Sequence, residues 1–304
     1  MTAPWMPARC LAFDLETTGT DVAGDRIVSA CAAIVENGEV KYRKEWLIAV
    51  DVDIPAEATA VHGITTEHAR EHGMPAEQGV REIAGAIRYA LGAGTAVVGF
   101  NVAFDLSMLD AECARNGLGS LTTFCGGDIW PVLDGFVLDK ATDRYRPGSR
   151  KLADVAKNYD VELVDAHDAA ADALAAVDVV RRIAERSVMS DADLRQLYAD
   201  RKYPDSLART WRALGRMSLA EVHTAQVGWF AEQAESLAVH WRGKAAEMQD
   251  QAGESEPPGD EALSADERAQ VLRDDAAELI KRADGITGDW PLNVTTTKGK
   301  AIAA

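Results

Sequence analysis

No stretch of this 304-residue chain supplies the roughly 20 consecutive apolar residues that a membrane-spanning helix needs. Met1 to Arg9 has no positively charged start followed by an apolar run, so no secretory signal is expected there and the cytoplasm is the expected compartment. Cysteine is scarce, with only Cys10, Cys31, Cys113 and Cys125, and no two of them form a Cys-x-x-Cys pair. That spacing argues against both a zinc knuckle and a disulfide framework. Positive charge is also short: 32 Lys and Arg face 49 Asp and Glu, a net charge of -17. Such a balance counts against a protein that coats nucleic acid by neutralising many phosphates. No internal repeat is evident. The 47% hydrophobic and 27% charged content is that of a globular chain, long enough for one large core with an appendage or for two domains.

What the chain does have is a run of alternating character, Leu11-Ala12-Phe13-Asp14-Leu15-Glu16-Thr17-Thr18-Gly19. On a strand, successive side chains point to opposite faces, so Asp14 and Glu16 project together. Two carboxylates held that close repel unless a cation lies between them, and oxygen ligands suit a divalent ion. A solvated polar face on an edge strand is the alternative, and this segment alone leaves both open.

The following residues predict a mixed sheet. Arg26–Val35 and Lys41–Val50 read as strands joined by an Asn37-Gly38 hairpin turn, an antiparallel meander with the first strand. Short helical pieces are expected over Ala58–Ala69. The spacing of Val80, Ile83, Ala84, Ile87 and Leu91 predicts a helix from Pro75 to Leu91, followed by a buried strand at Thr95–Phe100 and a helix at Asp105–Asn116. Ile129–Leu138 reads as a strand or a short helix, Leu152–Tyr159 as a helix and Asp168–Arg186 as a long amphipathic helix. The expected class is α/β, a mixed β-sheet flanked by helices. A first domain is expected over 1–189 and a helical extension over 190–304. Within the extension, helices are expected at about Ser218–Gln249 and Leu263–Arg282, with a Pro/Gly linker near 252–260 and a loose tail at Thr295–Ala304.

Two further constellations accompany the first. Asp105 follows the strand Val97-Val98-Gly99-Phe100 at the start of a helix, where strand ends in open α/β sheets build sites; it also suits helix capping. His167 precedes a helix that contains Asp172, five residues on. On a continuous helix the two would diverge by about 140°, so a lead-in position lets the imidazole fold back over the site.

These three segments, Phe-Asp-Leu-Glu-Thr-Thr-Gly at 13–19, Asn-x-x-x-Asp at 101–105 and His-x-x-x-x-Asp at 167–172, resemble the motifs of the DEDD exonucleases, histidine subclass. Val61-His62-Gly63-Ile64-Thr65 and Lys151–Ala156 resemble two more segments of that family. The tyrosine subclass does not fit, because Leu163 stands four residues after Tyr159. The resemblance covers about residues 9–187 and implies a ribonuclease H-like fold and a metal-dependent 3′-to-5′ exonuclease of DNA. It implies that Asp14, Glu16, Asp105 and Asp172 hold two Mg2+ ions, with Mn2+ able to substitute, and that His167 is the general base. An imidazole can exchange protons near neutral pH, and paired divalent ions suit phosphodiester hydrolysis.

Leu15, Thr17 and Thr18 are expected to contact the terminal nucleotide, His62 and Phe104 to line its base pocket, and Asn101 to orient a phosphate or to stabilise its own turn. The partners so implied are a single-stranded or frayed 3′ end and, through the C-terminal helices, a DNA polymerase or a second copy. An RNA-trimming enzyme of the same fold and a non-catalytic binding module are the competing readings. Gripping only a few nucleotides needs no long basic stripe, which reconciles the acidic balance with this substrate. The local positive stretch from Lys140 to Lys151 is the expected backbone contact. His68 and His72 stand four apart, but no third ligand is evident.

Overall fold

The computed structural model describes residues 3–163, 167–254, 256–260 and 263–292. Its centre is a sheet of six strands in the order β4-β3-β2-β1-β5-β6. These are β1 (Arg9–Thr17), β2 (Ile27–Glu36), β3 (Glu39–Ala49), β4 (Met74–Pro75), β5 (Ala96–Gly99) and β6 (Val132–Asp134). β1, β2 and β3 form the expected antiparallel meander. The β2–β3 turn is made by Asn37 and Gly38, at φ 52° and 87°, the positive values such a tight hairpin requires. β5 and β6 run parallel to β1, which forces their connections through helices.

Twelve helices accompany the sheet among the described residues: α1 (Ala56–His62), α2 (Thr66–His72), α3 (Ala76–Gly92), α4 (Val102–Arg115), α5 (Leu121–Cys125), α6 (Gly135–Thr142), α7 (Leu152–Asn158), α8 (Ala169–Ser187), α9 (Asp191–Leu197), α10 (Pro204–Leu214), α11 (Leu219–Ala252) and α12 (Ala265–Asp284). α3, α4 and α5 pack on one another, α7 and α6 pack on α8, and both groups reach the central strands. With helices on both sides, β1 is apolar and buried from Cys10 to Phe13, and only beyond it do polar side chains emerge. The stretch 129–138, ambiguous in sequence, divides into both elements: β6 ends at Asp134, whose side chain caps α6. The helices α5 and α10 were not among the expected elements: α5 is only five residues long, whereas α10 places Leu207, Ala208, Trp211 and Leu214 on one face at helical spacing.

The C-terminal region is helical, as expected, and the core runs on across residue 189. Leu194, Trp211, Val222, Phe230 and Trp290 belong to the same buried cluster as Phe13 and Val98. α11 begins with a capping box in which Ser218 accepts from the Glu221 amide while the Glu221 carboxylate accepts from Ser218 N–H. Its first half lies along β6. As a sheet-edge strand β6 would otherwise bury unpaired backbone groups, and α11 side chains satisfy them. Val132 N–H donates to His223 Nδ1 (3.1 Å), and Asp134 N–H donates to Gln226 Oε1 (2.8 Å). Gln226 Nε2 in turn donates to the Val132 carbonyl (3.0 Å).

The second half of α11 pairs with α12 through alanines at seven-residue spacing. Ala238, Ala245 and Ala252 are buried on one helix, and Ala269, Ala276 and Ala283 on the other. Heptad spacing keeps one seam facing its partner, and methyl side chains let the backbones approach closely. Of the linker expected at 252–260, Ala252 closes α11 and the described residues after it lie between α11 and α12; the expected tail at 295–304 lies outside the described residues. Among the described residues no helix is long and apolar enough to cross a membrane.

Candidate active site

The site forms where β1 outlasts its parallel neighbour. β5 pairs with β1 only from Cys10 to Ala12 and then, still paired with β6 at Gly99, parts from it, whereas β2 continues alongside β1 to Thr17. Gly99 permits that departure, since a Cβ there would stand 2.8 Å from the Phe13 carbonyl oxygen. Asn101 then takes a left-handed conformation (φ 61°, ψ 34°), open to asparagine at little cost, and α4 starts at once. The freed Leu15 N–H donates to Asp105 Oδ1 (3.2 Å), so an acid on the first turn of α4 replaces a strand that is no longer there.

Asp14 and Glu16 project toward the start of α8, as alternation requires. One ligand oxygen each from Asp14, Glu16 and Asp172 can be chosen so that all three lie within 4.8 Å of one another. Asp105 stands behind this trio, buried and electrostatically coupled to Asp14. Burial raises the proton affinity of all four acids, and neighbouring carboxylates add to it. Burial, then the charges of Asp105, Glu16 and Asp172, push Asp14 well above the carboxylate range. Burial and the neighbouring Asp172 and Asp168 push Glu16 up to about 8. Burial and Asp134 raise Asp105, although the Leu15 amide pulls it back. Burial raises Asp172 too, and His167 partly offsets it.

His167 sits immediately before α8 at φ 73°, exposed, with its backbone N–H directed at Asp172 Oδ2 (3.4 Å). Residues 164–166 of its lead-in lie outside the described residues. His62, at the end of α1, approaches the same place. Its Nδ1 accepts from Ile64 N–H (3.1 Å), which leaves the ring proton on Nε2, facing the Thr17 backbone. Burial lowers its proton affinity, and the proximity of His167 lowers it further.

The remaining expected contacts are distributed less evenly. Thr17 is half-buried and its hydroxyl donates to the Gly19 carbonyl (2.7 Å). Thr18 is buried and its hydroxyl is occupied, donating to Asp25 and accepting from Arg26 N–H. Leu15 is buried and Phe104 half-buried beside Asp105. Of the positive stretch from 140 to 151, Arg146 and Arg150 are spent inside the protein, whereas Arg144 and Lys151 are exposed. Arg146 and Arg150 both pair with buried Asp139, which also accepts from the Tyr159 hydroxyl (3.0 Å). That loop begins at the far end of α6, about 12 Å along the helix from the strand ends. The rings of His68 and His72 lie 4.8 Å apart, tilted by 59°, on the exposed face of α2, with no third ligand among the described residues.

Two acids escaped the sequence reading. Asp168 caps α8, accepting from Ala170 and Ala171 N–H, and adds its charge to Asp14 and Glu16. Asp134 is fully buried behind Asn101. The signal for it was present: an acid that closes an apolar strand and is followed by Gly-Phe.

The geometry defines an acidic, cation-seeking centre at strand ends of a ribonuclease H-like sheet. The chain belongs to the RNase T exonuclease family, whose match covers residues 11–180, more than half of it. A DNA polymerase III of the PolC type from Lacticaseibacillus paracasei is 29% identical over 166 residues, 55% of this chain and 10% of that protein. Escherichia coli exonuclease I in complex with a dT13 oligonucleotide superimposes with a TM-score of 0.51 at 20% identity, over 66% of this chain and 46% of that one. A zinc-bound form of the same enzyme with single-stranded DNA gives a TM-score of 0.52 at 23% identity, over 59% and 41%. The solved structures show the shared fold. The chain spans about a tenth of the length of the curated relatives it matches and less than half of exonuclease I.

Proposed function

We propose that this protein is a metal-dependent exonuclease that removes nucleotides from the 3′ end of DNA. The observation that carries the reading is the convergence of Asp14, Glu16 and Asp172 within 4.8 Å, backed by Asp105 and flanked by His167. The donor set fits hard divalent cations. It is all carboxylate, its members are raised by burial and by neighbouring acids, and Asp172 Oδ1 is buried without a hydrogen-bond partner. Asp14, Glu16 and Asp172 would hold one Mg2+, and Asp14 with Asp105 a second. Such a pair supplies charge stabilisation to the attacking and departing oxygens of an in-line displacement.

The protein's own residues then perform the rest. His167, on the solvent side, takes the proton of the attacking water. The Asp172 carboxylate orients the His167 backbone, and His62 with the β1 end at Leu15 and Thr17 walls the place where the terminal nucleotide lies. DNA is favoured over RNA because the polymerase relatives are DNA polymerases and exonuclease I is seen with a dT13 oligonucleotide. The same likeness makes a polymerase the expected partner, with the cytoplasm as its compartment.

The test is digestion of 5′-labelled single-stranded DNA, duplex DNA with a mismatched 3′ end, and RNA, each with Mg2+, Mn2+ or chelator. The expected result is a ladder of progressively shorter labelled DNA that chelator abolishes. Release of the labelled nucleotide first would reverse the polarity. Degradation of RNA alone would favour the RNA-trimming reading. No degradation with either metal would leave a binding module.

A further inference from the structure

We infer that Asp134 is a positioning residue for the acidic centre, and that the C-terminal extension holds it in place through Gln226 and Trp290. The inference rests on the exonuclease reading for its catalytic consequence, while the geometry behind it is independent of that reading.

Asn101 lies between the end of β5 and the start of α4, so its N–H belongs to neither a strand ladder nor a helix. A buried amide of that kind needs an acceptor from elsewhere. Asp134 Oδ1 provides it, accepting from Asn101 N–H (2.8 Å) and from Phe136 N–H (3.0 Å). One oxygen therefore fixes both the left-handed turn that launches α4 and the first turn of α6. Asp105 lies four residues after Asn101, and its carboxylate bonds to β1 between Asp14 and Glu16 through Leu15 N–H. A shift of the Asn101 turn is thus carried by the rigid first turn of α4 directly to Asp105.

Asp134 is in turn gripped from the extension on two sides. Its own backbone N–H donates to Gln226 Oε1, while the other end of the Gln226 amide bonds the Val132 carbonyl. Trp290, returning after α12, packs against His223 with ring centroids 4.9 Å apart and brings its indole N–H beside the Asp134 carboxylate. Asp134 Oδ2 and Trp290 Nε1 nevertheless stop short of a hydrogen bond of regular geometry. Residues 64 positions apart in sequence, one on α11 and one beyond α12, thereby meet at a single buried acid behind the site.

A carboxylate that served only to cap α6 would affect stability and nothing else. A positioning group should change the chemistry and the metal affinity while leaving substrate capture alone. The test uses the full chain and its Asp134→Ala, Asp134→Asn, Gln226→Leu and Trp290→Phe variants, assayed well below their melting temperatures. Each is read by kcat and KM on 5′-labelled single-stranded DNA with Mg2+, and by calorimetric titration with Mn2+.

For Asp134→Ala the expected result is a kcat lowered about 10- to 100-fold, KM within about twofold of wild type, and a comparable loss of Mn2+ affinity at one site. Asp134→Asn keeps an oxygen acceptor for Asn101 and should recover most of the loss. Gln226→Leu and Trp290→Phe leave Asp134 in the chain and should shift kcat the same way by a smaller factor. They decide the matter if Asp134→Ala fails to fold. Unchanged kcat and Mn2+ affinity in the folded variants would overturn the inference, as would equal loss in the alanine and asparagine forms. If wild type cleaves nothing, the exonuclease reading fails on its own, and the Mn2+ titration alone decides the role of Asp134.

Discussion

Asp14 occupies the one position where every other acid of the site acts upon it, so its removal should be the most damaging single change. Asp14→Ala is expected to abolish nucleolytic activity, a loss of at least about a thousandfold, and to remove Mn2+ binding as read by calorimetry. His167→Ala should behave differently, slowing turnover by about 100-fold while leaving Mn2+ affinity near wild type, because the role proposed for the imidazole is that of a proton acceptor rather than a ligand. Unchanged turnover in either variant would remove that residue from the mechanism. The metal-free site also makes a stability prediction. Glu16, held near 8 by burial and by Asp172 and Asp168, keeps in the folded protein a proton that the unfolded chain releases near pH 4. Stability contributed by that proton is present at low pH and lost as the pH rises toward about 8. Metal-free protein should therefore melt at a lower temperature at about pH 8.5 than at about pH 6. Glu16→Gln should flatten the difference, and saturating Mg2+ should erase it; a melting temperature that rises with pH in chelator would contradict the assignment.

At the scale of elements, the strand and helix periodicities placed the parts that carry chemistry, and the turn chemistry of Asn37-Gly38 placed the hairpin. Asp14 and Glu16 were legible because alternation on a strand is a strict rule, and Asp172 because α8 is long and strongly amphipathic. Asp134 was legible only as an acid closing an apolar strand; its hydrogen bond with Asn101, 33 positions earlier, is a tertiary contact that no local pattern carries. The alanine seam between α11 and α12 escaped for a related reason. Small residues mark a close helix pair only once the partner is known. The stretch 140–151 misled because charge in sequence does not reveal where the side chains end. Asp139 is 1% exposed and neutralises Arg146 and Arg150, at 7% and 12%. Asp139→Ala would strand two nearly buried guanidinium groups and should cost about 3–5 kcal/mol of stability in urea denaturation. Its turnover per folded molecule should stay at the wild-type level, since the pair lies away from the strand ends; a selective loss of activity would return this loop to substrate binding. Ala276→Leu, which overfills the α11–α12 seam, should cost about 1–3 kcal/mol with activity likewise retained.

For the whole molecule, the deficit of positive charge sets how substrate is held. A chain with net charge -17, whose two best-placed arginines are paired internally, cannot neutralise a long run of phosphates. On the proposed reading, its grip would be confined to a cation held by the acidic centre and to the adjoining His62 and β1 end, which suits recognition of a terminus rather than a tract. The extension is joined to that centre by a continuous core and by Gln226, not strung alongside it. Manganese location tests the central claim most directly: crystals soaked in Mn2+ with a short single-stranded oligonucleotide, with the metal found by its anomalous scattering. The account predicts one peak shared by Asp14, Glu16 and Asp172, a second between Asp14 and Asp105, and the 3′-terminal phosphodiester lying against both. Saturating Mn2+ with no peak at Asp14, or an oligonucleotide bound with its 5′ end there, would contradict it.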